Sequence, residues 1–404
     1  MIPEIQVWTG SGAQLQLVGT AFFTLRSGQI STRFVYDTQY LRGLAPQEIS
    51  PDLPLAAGIG FTSGVPVAFR DCCPDRWGRR LIEKRLRSMA NSVVRQLDEV
   101  DYLLGVSDIA RQGALRFRSL QGAWLGENAS IPPVVQLPAL LDASRNVMTD
   151  KESHEELKLL LDAGSSSLGG ARPKATIQDE GKLYLAKFSH DADAIDVIGL
   201  EKTMLDLEAN CGIDVPAAKL VRFGNQAALL LERFDRKNSL LEGTRIPYLS
   251  AMSLLGLRDG ESGSYLDYLE VVEERCGHEA VVQMITRICF SIAVNNTDDH
   301  LRNHGLLQAG NQWKLSPCFD VNPNPNLSRR QTAVMPSSAQ SEGQQLKELA
   351  QLFGLSANET TTITERVLAS AAQFKQTAKK NGVPAKSIAA VEPAILHGCG
   401  MLEA

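Results

Sequence analysis

Asp298 and Asn303 stand with four residues between them in "NNTDDHLRNHG", Asn295 to Gly305, a stretch dense in carboxylate, amide, histidine and arginine that follows an apolar run. An aspartate placed where a helix has run out can accept or orient a hydroxyl proton, and an asparagine amide oxygen just beyond it can coordinate Mg2+. The same spacing also arises when Asp298 or Asp299 caps a turn. Phosphoryl transfer from ATP asks for three more parts in a set order: a small-residue loop over the phosphates, a strand lysine, and a second metal-binding carboxylate.

The chain supplies a candidate for each. Ser165, Ser166, Ser167, Leu168, Gly169, Gly170 and Ala171 form a loop whose backbone N–H groups can approach phosphate oxygens closely. By itself such a loop is more often a linker. Lys187 follows on the strand-like "KLYLAKF", where Leu185 and Phe188 suggest a partly desolvated setting, and Glu201 in the next helix can pair with it. Asp320 comes last, in "SPCFDVNP", with Val321 and Asn322 where protein kinases carry Phe and Gly. Each signal is weak alone. Their order along the chain points to transfer of the ATP γ-phosphate, with ATP and Mg2+ as cofactors.

These residues need elements to hold them. From Ile5 to Val35, short apolar stretches alternate with Gly and Ser turns, as in a small antiparallel sheet. "PDRWGRRLIEKRLRSMA" reads as a helix, and its Arg76, Arg79, Arg80, Lys84, Arg85 and Arg87 are the densest basic cluster. That cluster is either a solvated helix face or a contact for nucleic acid or an acidic partner. "LDEVDYLLG" predicts a helix and "GALRFRS" a strand, and adjacent prolines mark a boundary near residue 125.

Helical patterns follow over Pro138 to Met148 and Ser153 to Ala163, the second opening on an N-cap and an acidic turn. A helix over Gly199 to Asn210 precedes a hairpin of "AAKLVRF" and "QAALLLERF". Beyond Asp235 the pattern is helical except for the strand pair in "GLLQAGNQWKLS", with two or three helices in the last sixty residues. The reading is an α+β, bilobal protein-kinase-like fold: a β-rich subdomain over 1–125, a segment with phosphate loop, strand lysine and hinge over 126–235, and a helical lobe over 236–404.

The 404 residues suit two or three cores. A formal charge of -5 argues against a chain whose main task is wrapping nucleic acid. The opening "MIPEIQVWTGSG" lacks a secretory pattern and no apolar run is long enough to span a bilayer, so the expected place is the cytoplasm, with no membrane partner. Seven scattered cysteines without a C-x-x-C pair fit reduced thiols.

At these residues the chain resembles the HipA-like serine/threonine kinases, the toxin halves of bacterial toxin–antitoxin modules. The pieces that carry the resemblance are "SSSLGGARPKA", "LAKF", "LLERFDR", "NNTDDHLRNHGLL" and "FDVNP", with "CCPDRWGRRLIEKR" and "GALRF" in the first third. The resemblance implies that Asp298 is the catalytic aspartate, Asn303 and Asp320 the Mg2+ ligands, and Lys187 the phosphate-binding lysine. It implies that Glu232, Arg233 and Phe234 form the hinge beside adenine, with His300 and Arg302 supporting the loop. Ser167 matches the autophosphorylated serine, and Ser165 and Ser166 stand close enough to serve instead.

The implied partners are a HipB-like helix-turn-helix antitoxin, operator DNA reached through that complex, and an aminoacyl-tRNA synthetase as substrate. Three rival readings remain at this level. A small-molecule or lipid kinase shares the D-x-H-x-x-N pattern of Asp298, His300 and Asn303. A catalytically inactive corepressor would keep the fold alone. A hydrolase would use Asp298, Asp299 and His300 as metal ligands.

Overall fold

Alternating apolar and polar side chains in the first strands build a five-stranded antiparallel sheet in the order Ile59–Ser63, Gln29–Tyr36, Gln16–Arg26, Glu4–Thr9, Leu115–Ser119. This is a computed structural model, and it describes the chain apart from residues 1–3, 90–95, 127–130, 165–171, 225, 238–243, 259, 337 and 404. One sheet face buries Ile5, Val7, Phe23, Phe34, Tyr36 and Phe117 against Phe69 and Leu103. Phe69 and Phe117 meet edge to face at 5.1 Å, a favoured geometry for aromatic pairs.

The basic helix, Arg76–Met89, spends most of its charge inside its own unit. Arg79 forms two 2.7 Å bonds to Glu99 and lies 4.4 Å over the Tyr102 ring. Arg80 reaches the Val147 carbonyl at 2.9 Å and Asp150 at 3.0 Å, while Lys84 pairs with Asp150 and Glu152. Trp77 is buried, its indole N–H donating to the Lys174 carbonyl at 3.2 Å.

The chain divides into two compact units, one of Met1–His190 with Glu232–Leu249, the other of Asp191–Leu231 with Ser250–Ala404. The sequence reading cuts at 125 and 235 instead. Two sets of bonds explain the difference. The hairpin of Lys174–Asp179 and Lys182–Phe188 is held by Gln178, whose backbone N–H donates to the Pro132 carbonyl and whose side chain donates to that of Ile131. Arginines of residues 233–236 grip the backbone of residues 109–113, as described below.

In the second unit, helix Val197–Asn210 precedes a hairpin of Ala218–Phe223 and Gln226–Glu232. Helix His278–Ala293 is buried at every position from Met284 to Ala293, so it is a central rod whose C-terminal end is fixed on all sides. Gly398, in the last helix Ala385–Glu403, permits the closest approach to that end. A Cβ there would fall 2.3 Å from the Ile292 carbonyl oxygen. Four helices close the chain, Glu342–Leu352, Ala357–Ala371, Phe374–Lys380 and Ala385–Glu403, against the two or three expected. The extra one arises because a turn at Ala372 and Gln373 breaks a pattern that reads as continuous.

Short strands at Arg236–Lys237, Thr244–Arg245 and Tyr248–Ser250 also replace expected helix, and are too brief to leave a period in the sequence. Among the described residues no helix is long and apolar enough to cross a membrane.

Candidate active site

Helix His278–Ala293 ends, and two residues later Asn295 takes a left-handed φ of 51°, which an asparagine tolerates better than most residues. The Asn295 side-chain amide donates to the carbonyls of Asn324 at 2.7 Å and Asn326 at 3.2 Å, and Asn324 returns a backbone bond to the Asn295 carbonyl at 3.0 Å. The chain therefore leaves the rod in a fixed direction. A second turn closes where the Asn303 N–H donates to the His300 carbonyl at 2.8 Å, and strand Gly305–Ala309 carries the chain away.

Between the two turns, adjacent aspartates have opposite surroundings. Asp298 is exposed, and its Oδ1 accepts a bond from the Gln331 side-chain amide. Partial burial raises its pKa above the ordinary aspartate value; His300 opposes that rise, and the charges of Asp320 and Asp299 add to it. Asp320 is thus near enough for like-charge repulsion to act on Asp298.

Asp299 is only 3% exposed. It accepts from Ser291 Oγ at 2.7 Å, from the Tyr265 hydroxyl, and from His304 Nε2 at 2.8 Å. Burial alone would raise its pKa, but His304 and the three hydrogen bonds overrule it and hold the carboxyl far below the usual range. Arg330 extends the network. It donates to Ser291 Oγ at 2.9 Å and to the Asn296 carbonyl, and pairs with Glu342 at 3.0 Å. Asp299, to which the sequence reading gives no part in phosphoryl transfer, is the anchor of the loop.

Asp320 follows the strand pair Gly305–Ala309 and Gln312–Leu315, and takes a left-handed φ of 64°. Non-glycine residues in that region cluster at functional sites, although aspartate enters it more readily than most. The Asn322 amide donates to Asp320 Oδ1 at 3.4 Å, while its own carbonyl oxygen is buried without a hydrogen-bond partner among the described residues. Asn303 is buried, Arg302 half-buried, and His300 half-buried with its Nδ1 lacking a partner among the described residues.

The first unit carries the other candidates. Lys187 is 5% exposed on strand Lys182–Phe188, opposite Lys174 in the register. Lys174 forms a buried ion pair with Asp75, whose pKa burial raises against the pull of that lysine. Glu201 is buried within helix Val197–Asn210 of the second unit. The loop from Ser165 to Ala171, with Ser165, Ser166, Ser167, Leu168, Gly169, Gly170 and Ala171, lies outside the described residues.

Arg233, in the segment expected to border adenine, is held by both its backbone and its side chain. Its N–H donates to the Leu183 carbonyl at 2.9 Å, and its guanidinium is turned inward to the carbonyls of Ala110 and Arg111 and to Asp235. Arg236 grips the carbonyls of Ile109, Arg111 and Gly113, and Asp235 accepts the Gly113 N–H at 2.7 Å. Glu232 pairs with Lys182 at 2.9 Å, and the Phe234 ring lies 6.0 Å from that of Tyr248. Sequence reasoning missed Asp235, Asp299, Arg330 and Gln331. The only available signal was the unusual density of charge in "ERFDR" and "SRRQ".

Antiparallel sheets followed by a helical unit, with an exposed aspartate on an anchored loop at the end of a buried helix, make an α+β chain. The HipA-like C-terminal domain profile matches residues 166–374, just over half of the chain, and the HipA N-terminal domain profile matches residues 13–116. The chain belongs to the HipA-like family. Its fold is shared with a chain of the solved Shewanella oneidensis MR-1 toxin–antitoxin complex of HipA, HipB and operator DNA, at a TM-score of 0.67 and 16% identity over 98% of this chain and 96% of that one. The Helicobacter pylori proinflammatory kinase CtkA is similar at a TM-score of 0.39 and 13% identity over 58% of this chain and 90% of its own. No curated protein matches the chain in sequence.

Proposed function

We propose that the protein is an ATP- and Mg2+-dependent serine/threonine protein kinase, acting as the toxin of a toxin–antitoxin pair in the cytoplasm. The observation that carries this reading is the pairing of Asp298 and Asp299, one exposed for contact with an acceptor and one buried to fix the loop. Asp298 would orient the acceptor hydroxyl and receive its proton. Lys187 would hold the phosphates, and the backbone of Glu232, Arg233 and Phe234 would border the base.

The residues fit Mg2+. Asp320 and Asn303 offer oxygen donors, the Asn322 carbonyl oxygen is an unused buried acceptor, and Asp320 already presses on Asp298 with a charge that a cation would relieve. Among the described residues no three His, Cys, Asp or Glu side chains converge, which suits a cation that takes its remaining oxygens from phosphate and water. Bound Mg-ATP would supply the transferable phosphoryl group.

A helix-turn-helix antitoxin, operator DNA reached through it, and an aminoacyl-tRNA synthetase as acceptor complete the proposal. Phosphorylation of Ser167, or of Ser165 or Ser166, would place about two negative charges where the ATP phosphates must sit and switch the enzyme off. Incubation with γ-labelled ATP, Mg2+ and both protein and lipid acceptors tests the reading. Label on serine or threonine of protein, with none on lipid, supports it; label on lipid alone overturns it.

A further inference from the structure

Gln331 and its neighbours are stitched along the catalytic loop. The Gln331 N–H donates to the Thr297 carbonyl at 3.0 Å and the Thr332 N–H to the Asp299 carbonyl at 3.2 Å, flanking Asp298. Thr297 Oγ1 lies 2.9 Å from Ser328 Oγ and accepts from the Asn324 amide at 2.7 Å. The Gln331 side chain then donates to Asp298 Oδ1 at the surface, where both residues are exposed.

A carboxylate offers two oxygens, and a donor fixed on one of them sets the direction of the other. We infer that Gln331 is a positioning residue for transfer, holding Asp298 Oδ1 so that Oδ2 faces the acceptor hydroxyl, and that residues 324–331 form the acceptor-side wall of the site. The inference rests on the reading of Asp298 as the acceptor-orienting residue. A side-chain amide is suited to the task because it donates without bringing a charge of its own. Gln331 contributes little burial, so substitutions there leave the fold intact.

The test uses the full chain, γ-labelled ATP with Mg2+, and an arrayed library of serine peptides as acceptor. Gln331→Ala is expected to lower kcat by about 10-fold through loss of orientation, with KM for ATP unchanged. Gln331→Lys keeps an N–H donor but brings a charge to the carboxylate, and should recover part of that loss. Gln331→Glu matches the shape without the donor and should stay low. All three should unfold at the wild-type midpoint. An active wild type whose Gln331→Ala variant transfers as fast or faster, or in which Lys rescues no better than Glu, overturns the inference and leaves the kinase reading standing. A wild type that transfers to no acceptor removes both.

Discussion

The loop of Asp298 and Asp299 and the segment of residues 233–236 are both held by buried charge, but of opposite sign and from different distances along the chain. Around Asp299 a buried anion is satisfied by hydroxyls and a histidine of its own unit, from Tyr265, Ser291 and His304. In residues 233–236, buried cations are satisfied mainly by backbone. Arg233 and Arg236 share one carboxylate, Asp235, and cap carbonyls of residues 109–113, more than a hundred residues earlier. A short local turn can be pinned by a few side chains nearby. A segment tied to backbone more than a hundred residues away is held by forked donors that reach several carbonyls at once, which is arginine's geometry.

The comparison can be broken first at Asp235. Asp235→Ala leaves two guanidiniums buried without a carboxylate and should destabilise the protein by about 3–5 kcal/mol in denaturant unfolding. Acid sharpens the same point. The folded-state pKa values of Asp235 and Asp299 are depressed, so their contribution is present above about pH 4, the unfolded aspartate value, and is lost as pH falls further.

Glu208 shows what burial does without such partners. It is 1% exposed, and burial raises its pKa to about 7 against the pull of Cys318 and Arg287. The folded state therefore holds its proton longer than the unfolded state. Stability should fall as pH rises from the ordinary glutamate value to about 7, by up to about 1.4 kcal/mol per unit, and Glu208→Gln should flatten that slope in unfolding measured across the same window.

Tyr265→Phe removes one hydrogen bond to a charged carboxylate and should cost about 1.5–3 kcal/mol by the same measurement. Lys182→Ala, at the exposed pair with Glu232, should leave the unfolding midpoint where it is.

What the sequence revealed follows the same division. Asp298, Asn303 and Asp320 could be nominated because their spacing and order are local, and helix starts such as Ser153, with its capping box to Glu156, carry their own signature. The role of Asp299 was not, because its Tyr265 partner lies 34 residues back in a different helix and no pattern links them. The clamp of Arg233, Asp235 and Arg236 was illegible for a deeper reason. Its acceptors are backbone carbonyls, which every residue has, so nothing in residues 109–113 announces that arginines will close on them. Gln331 was hidden likewise, since an exposed glutamine becomes informative only once it is seen on Asp298.

The most direct measurement sets Asp298→Asn beside Asp299→Asn, comparing phosphoryl transfer from γ-labelled ATP and the unfolding midpoint of each. Asp298→Asn is expected to lose about 10²–10⁴-fold in transfer at unchanged stability, as befits an exposed group that handles a proton. Asp299→Asn is expected to lose about 1–3 kcal/mol of stability, with the smaller loss of transfer. Contradiction would come from an Asp298→Asn variant that transfers near the wild-type rate, or from an Asp299→Asn variant that is as inactive as expected for Asp298→Asn yet fully stable.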